Sequence, residues 1–329
     1  PAGAAAPAPS PCPAASPPAA APLLRLPTRY RHARALNRLG RSQEAERALG
    51  RLLEEFPLTY YGLRAAERLG ASPAGSNPGT QADGETREPR NPGELTLPDR
   101  ALARAAILLA AQLDDEARRE LPALAAEVRT DSDRIALARM LAEAGDPHAA
   151  QRVVLRGQSE RLARGVEPGL EALWKLAWPR AFAEPLEHAA HRHGVDPELV
   201  FAVMREESGY RPEVVSPVGA RGLVQIMPET GARLARQLGW LSLDPARLFA
   251  PACNLELGSF YLAELLARFR GRYSAAIAAY NAGPRAVARW LDARGDAPDD
   301  IWVESIPYEQ TRQYVRRVLR SWHVQRLVH

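Results

Sequence analysis

Apolar residues recur at helical spacing from Tyr30 to the end of the chain, and no segment of the C-terminal half alternates convincingly as a strand does. A chain with this pattern builds its core by packing helix on helix, so the expected fold class is mainly α. The spacing predicts helices over 30–39, 43–56 and 60–69, then over 100–113, 116–128, 133–144 and 148–156. A third group runs over 196–207, 228–238, 254–269, 273–280, 285–292 and 308–327. Between Ser208 and Met227 the periodicity stops, and Ser216-Pro217-Val218-Gly219-Ala220-Arg221-Gly222 is turn chemistry. About twenty irregular residues inside a helical unit usually carry function.

Two stretches cannot pack. The first 22 residues contain 8 Pro and 10 Ala, and residues 1–27 read as a Pro/Ala-rich flexible tail. Ala71 to Glu94 holds no Leu, Ile, Val, Met or aromatic residue and reads as a flexible insertion at about 71–94. With these set aside, 28–169 forms one unit and 170–329 another, the second opened by Trp174, Trp178 and Phe182. Within the first unit the turn Leu39-Gly40-Arg41-Ser42-Gln43-Glu44-Ala45 resembles Ala144-Gly145-Asp146-Pro147-His148-Ala149-Ala150, with a weaker echo at Gln112–Ala117. These turns suggest a helical-hairpin array; a plain helical domain is the alternative.

Composition removes several function classes. At 46% hydrophobic and 25% charged, the chain matches folded soluble proteins, and no apolar run reaches the eighteen residues of a membrane span. The net charge is +4, but Lys175 is the only lysine among 43 basic residues and no basic stripe is interleaved with aromatics. No nucleic-acid partner is expected, although the charge favours approach to an acidic polymer. Cys12 and Cys253 lie far apart, and the seven His are scattered, so neither a disulfide scaffold nor a metal site is expected. His191 and His193 share a helix end and read as surface residues.

The helix over 196–207 holds the strongest chemical signal. Leu199, Val200, Val203 and Met204 form an apolar stripe, and Glu207 projects onto its middle. Glu206 falls about 90° away, toward solvent. Gly209 then ends the helix, placing Glu207 at the negative end of the dipole. Burial and dipole both favour the protonated carboxyl, the tuning a general acid needs. The alternative is a glutamate that reaches out of a frayed end or pairs with an arginine. Ala279-Tyr280-Asn281-Ala282-Gly283-Pro284 would present the Tyr280 hydroxyl and Asn281 amide at a helix end, or act only as a helix stop. Glu304-Ser305-Ile306-Pro307-Tyr308 precedes the last helix, where Glu304 could equally support that helix's N-terminus.

Together with Glu207-Ser208, the Ser216–Pro228 segment and Glu304–Val315, these motifs closely resemble, in order and spacing, the catalytic domain of Slt-type soluble lytic transglycosylases. The resemblance spans about 170–329. Upstream, Phe56-Pro57-Leu58-Thr59-Tyr60-Tyr61-Gly62 is similar to the superhelical, TPR-like region that precedes that domain. It implies a lysozyme-like α-helical catalytic domain in which Glu207 is the single acid/base. It also implies a sugar-binding set of Ser208, Ser216, Gln225, Met227, Tyr280, Asn281 and Glu304. Val224 and Arg221 depart from the usual residues and are expected at the rim of the site.

The implied reaction cleaves the MurNAc-(β1,4)-GlcNAc bond of peptidoglycan glycan strands without water, leaving 1,6-anhydro ends and needing no cofactor or metal. The resemblance implies a periplasmic location, with the signal peptide absent from this chain and no stable membrane insertion. Cys12 lacks the preceding apolar stretch of a lipoprotein anchor. The alternatives are a lysozyme-like hydrolase and a non-catalytic cell-wall scaffold.

Overall fold

A computed structural model of the chain describes residues 22–71, 93–295 and 297–329. Among the described residues there are sixteen α-helices and no β-strand. The first three are α1 (Leu26–Arg38), α2 (Ser42–Glu55) and α3 (Tyr60–Leu69). They are followed by α4 (Asp99–Ala110), α5 (Asp114–Glu120), α6 (Asp131–Glu143), α7 (Pro147–Leu155) and α8 (Glu171–Ala177). The C-terminal half holds α9 (Ala183–Arg192), α10 (Pro197–Glu207), α11 (Pro228–Gln237) and α12 (Pro251–Arg268). It ends with α13 (Tyr273–Ala282), α14 (Pro284–Arg294), α15 (Asp299–Ser305) and α16 (Glu309–Val328).

The three related turns share one geometry. Gly40, Gly145 and Gln112 all have left-handed φ, +74°, +76° and +59°. The next N–H reaches back in each case, Arg41 to Leu36 O, Asp146 to Leu141 O and Leu113 to Leu108 O. This is the six-to-one closure that ends a helix and returns the chain antiparallel. The weaker echo is weaker because glutamine, with a Cβ, occupies the position glycine fills elsewhere.

Several boundaries differ from the sequence reading. The helix expected over 116–128 breaks at Leu121–Ala126, a 3₁₀ segment, because Pro122 has no N–H to donate back to Arg118. The 1–27 tail is too long. Residues 1–21 and Cys12 lie outside the described residues, but Pro22–Arg25 is a 3₁₀ turn leading into α1, whose Leu26 is buried. Most of the 71–94 insertion also lies outside them. Its end is anchored, since Ser132 and Thr130 donate hydroxyl hydrogen bonds to the carbonyls of Gly93 and Glu94 at 2.6 and 3.0 Å. Asp133 accepts from the backbone N–H of Thr96, Leu97, Arg129 and Thr130, which fixes this segment onto α6.

Two buried clusters divide the molecule. One joins Tyr30, Leu52, Phe56 and Tyr61 of the N-terminal helices to Leu199, Val203, Ile277, Trp302 and Val315 of the C-terminal half. The other gathers Leu121, Leu137, Leu141, Val154, Trp174 and Trp178 with Val324 of α16. The first three helices thus pack with the C-terminal half, and Trp174 and Trp178 pack with α4–α8. Polar contacts fasten the first group. The Tyr30 hydroxyl donates to Asp300 at 2.8 Å, Arg68 pairs with Asp300 at 2.7 Å, and Arg320 donates to Leu58 O at 2.7 Å. No helix among the described residues is long and apolar enough to cross a membrane.

Candidate active site

Helix α10 starts on Asp196, whose side chain accepts from the Glu198 N–H, with Pro197 in the first turn. Its residues from Leu199 to Met204 are all buried, and the helix ends at Glu207. Gly209 follows with φ +58° and donates to Arg205 O, as the sequence predicts. Glu207 itself is partly buried. Burial pushes its carboxyl up to about 7, opposed by a hydrogen bond from the Tyr314 hydroxyl and assisted by the nearby charge of Glu206. Tyr314 donates to Glu207 Oε1 at 2.6 Å, which fixes the carboxyl plane and leaves Oε2 to carry a proton. The Tyr314 hydroxyl is itself held well above its ordinary range, first by burial and then by Glu207, so it stays a donor.

The irregular segment after α10 is tied together rather than loose. Arg221 bridges to both Val215 and Ile226 in short antiparallel pairs. Gly222, at φ +80°, lies so close to the 3₁₀ turn Pro245–Phe249 and to α12 that a Cβ would sit 2.1 Å from Leu248 O and 2.4 Å from the Asn254 amide. Only glycine fits there. Asn254 fastens the segment, donating to Arg221 O and Leu248 O and accepting from the Val224 N–H. Gln225 takes a left-handed φ of +51°, a strained choice for a side-chain residue, and its Nε2 donates to Gly222 O and Val214 O. The Ser216 hydroxyl accepts from the Ala220 N–H and closes its turn. Met227, at the start of α11, leaves its side chain exposed.

Helices α13 and α16 supply the facing wall. The Tyr280 hydroxyl donates to Val224 O at 2.8 Å, and the charge of Glu207 helps burial raise it well above the ordinary tyrosine range. Asn281 accepts from the Thr311 hydroxyl at 2.8 Å, and its Nδ2 has no partner among the described residues. Glu207, Tyr280, Asn281, Gln225 and the 208–227 segment therefore lie in one linked region.

Other expected site residues are placed differently. Ser208 is buried, and its hydroxyl donates to Met204 O and accepts from the Arg211 N–H, so it completes the helix end instead of facing a ligand. Glu304 lies late in α15 and is nearly buried. It pairs with Arg316 and with Arg31, at 2.9 Å to the latter, and accepts from the Tyr61 hydroxyl at 3.1 Å. It fastens α1 and α3 to α16; it supports neither a free cleft carboxylate nor a helix N-terminus. Val224 is fully buried, its Cγ2 pressed toward Gly258, and is not a rim residue. Arg221 lies over the Phe249 ring at 5.5 Å. His193, read as a surface residue, is bonded to Glu256 at 2.9 Å with 9% of its side chain exposed.

Glu206 is the larger correction. Its side chain is only 8% exposed, and it binds Arg205 at 2.6 Å, Arg317 at 3.0 Å and the Ser321 hydroxyl at 2.7 Å. Burial alone would raise its carboxyl, but Arg205, Ser321 and Arg317 outweigh burial and hold it below the ordinary range. It remains an ionised neighbour of Glu207. The residues missed in the sequence are therefore on α16. Thr311, Tyr314, Arg317 and Ser321 are three or four apart and share a face. They touch Asn281, Glu207 and Glu206 in turn. That spacing was the available signal. Among the described residues no group of three or more His, Cys, Asp or Glu is arranged to hold a metal ion.

Residues 184–303 match the family model described as Transglycosylase SLT domain. Soluble lytic murein transglycosylase of Salmonella typhimurium is 29% identical over 296 residues, covering 88% of this chain and 42% of that protein. The crystal structure of the 70 kDa soluble lytic transglycosylase from Escherichia coli superposes with a TM-score of 0.72 at 25% identity. That match covers 93% of this chain and 47% of the other. An inactive mutant of lytic transglycosylase Slt from Pseudomonas aeruginosa superposes at 0.68 with 28% identity, over 91% of this chain and 46% of that one. The chain spans less than half the length of these relatives.

Proposed function

We propose that this chain, which carries a transglycosylase SLT domain and shares the fold of the soluble lytic transglycosylases, cleaves peptidoglycan glycan strands by lytic transglycosylation. The chemistry is assigned to the C-terminal part, about 170–329, with the preceding helices as its frame. The observation that carries this reading is the pairing state of the carboxylates. Among the described residues Glu207 forms no ion pair, and burial raises its carboxyl to about 7 against the charge of Arg317, while Glu206 and Glu304 are both locked in ion pairs. A two-carboxylate glycosidase sets a second carboxylate across the scissile bond from the acid; Glu206 and Glu304 are instead engaged with arginines of their own.

Protonated Glu207 Oε2 donates to the glycosidic oxygen between MurNAc and GlcNAc, and the C1–O4 bond breaks. The substrate's own N-acetyl oxygen stabilises the positive charge developing at C1, as in substrate-assisted cases. The Glu207 carboxylate then takes the proton of the muramyl 6-hydroxyl, O6 bonds to C1, and the acid is restored. Tyr314 accompanies both half-reactions, because its hydrogen bond strengthens when Glu207 ionises. Tyr280, Asn281, Gln225, Met227 and Ser216 form the proposed sugar-binding wall, with the Asn281 Nδ2 free to donate. The proposed site of action is the periplasm, where such glycan strands lie.

Purified peptidoglycan digested by the wild type and by Glu207→Gln tests the assignment. Mass spectrometry should find anhydro-muramyl ends from the wild type and none from the variant. Equal product from both would remove Glu207 from the mechanism.

A further inference from the structure

The two carboxylates that close α10 meet one face of α16. Tyr314, Arg317 and Ser321 are spaced three and four residues apart, so they stand one above the other on that helix. Tyr314 reaches Glu207 at 2.6 Å, while Arg317 and Ser321 reach Glu206 at 3.0 and 2.7 Å. The single-acid reaction needs Glu207 alone. It supplies no reason for a second carboxylate on the adjacent residue, nearly buried and kept ionised.

The partners of Glu206 divide between its two oxygens. Arg205 and Ser321 donate to Oε1, and Arg317 donates to Oε2. Arg205 is packed back against the end of α8, over the Trp178 ring at 4.8 Å with its Nε toward Ala177 O. Arg320, the next cation along α16, donates to Leu58 O and adds its charge to Glu206. Arg317 differs from both, because 52% of its side chain is exposed. Around Glu207 itself stand Tyr314 of α16 and Tyr280 of α13, both kept as neutral hydroxyls. The charges that act on the acid are those of Glu206 and Arg317, and they have opposite sign.

An ionised carboxylate beside Glu207 opposes a second negative charge and keeps the proton on the acid, whereas a guanidinium beside it favours the carboxylate. We propose that Glu206 and Arg317 are a positioning pair for the acid: their ion pair holds the last turn of α10 against α16, and the balance of their charges sets the pH at which Glu207 gives up its proton. The proposal rests on the transglycosylase reading of Glu207 and adds to it two residues that never touch the sugar. Tyr314 fixes the orientation of the acid, and the pair one turn further along α16 fixes its electrostatic surroundings.

The test compares Glu206→Gln, Arg317→Gln, Arg317→Lys and the double variant Glu206→Gln/Arg317→Gln in the full chain. It reads kcat/KM on glycan strands against pH, together with a ¹³C titration of the Glu207 carboxyl. Arg317 is half exposed, so its variants should fold, and glutamine at 206 keeps an acceptor for Arg205 and Ser321. Glu206→Gln removes the neighbouring negative charge and leaves Arg317 unopposed, so the falling limb should move down by about 0.5–1 pH unit. Arg317→Gln removes the cation that favours the carboxylate, so the limb should move up by a similar amount. Arg317→Lys should return it to near the wild-type position, and the double variant should lie between the two single ones. A merely structural role at the helix end would lower the rate without moving the limb in opposite directions. A limb that stays in place in either single glutamine variant, or moves the same way in both, overturns the proposal. Failure of the wild type to cleave any strand would strike the transglycosylase reading, while the carboxyl titration still decides the pair.

Discussion

Replacing Tyr314 by phenylalanine removes one hydroxyl and little volume from a buried position on α16. In the wild type that hydroxyl donates to Glu207 Oε1 at 2.6 Å and favours the carboxylate, opposing the burial that pushes the group up to about 7. A hydrogen bond to a charged group contributes about 1.5–3 kcal/mol. At about 1.4 kcal/mol per pKa unit, its loss raises Glu207 by about 1–2 units. The proposed reaction requires protonated Glu207, so kcat/KM should fall as pH rises through its pKa in the free protein. The falling limb near pH 7 should move upward by that amount in Tyr314→Phe. The maximum rate should drop about tenfold, since the carboxyl plane loses its anchor. The assay is the initial rate on isolated glycan strands across the pH range, paired with a ¹³C titration of the glutamate carboxyls. A limb that stays in place, or moves down, would refute the role given to this hydrogen bond.

The same burial makes Glu207 a stability liability with a defined sign. Its folded carboxyl is raised from 4.5 to about 7, so the unfolded chain releases a proton the native state keeps, and stability falls as pH rises through that window. Glu207→Gln should match the wild type near pH 4 and exceed it by ~3 kcal/mol at pH 8 in denaturant unfolding; a difference that does not change with pH would contradict this. Glu304→Gln should destabilise by ~3 kcal/mol, because Arg316, 9% exposed, loses its charge partner and α1 and α3 lose their fastening to α16. A loss under about 1 kcal/mol would mean that the network behaves as exposed ion pairs do.

Much of this molecule is legible in the sequence because helical periodicity is local. Helix α3 begins and ends at the expected residues, and Pro197 and Gly209 bracket α10 as their backbone chemistry requires. The raised Glu207 carboxyl follows from its projection onto the Leu199–Met204 stripe. What the sequence hides depends on partners far along the chain. Glu206 projects away from its own helix's stripe, yet α16 covers it with Arg317 and Ser321 from more than a hundred residues away. Glu304 sits inside a recognisable motif, but Arg31 and Tyr61 arrive from helices packed onto it by the first buried cluster. Helix α15 was missed for a related reason: at seven residues it is too short for periodicity to register.

The reaction assigned to Glu207 is tested most directly by digesting peptidoglycan in ¹⁸O-enriched water and analysing the released ends by mass spectrometry. Attack by the muramyl 6-hydroxyl consumes no water, so the muramyl ends should be 1,6-anhydro and carry no label. Reducing muramyl ends bearing one ¹⁸O per cleavage would contradict it and make the enzyme a hydrolase.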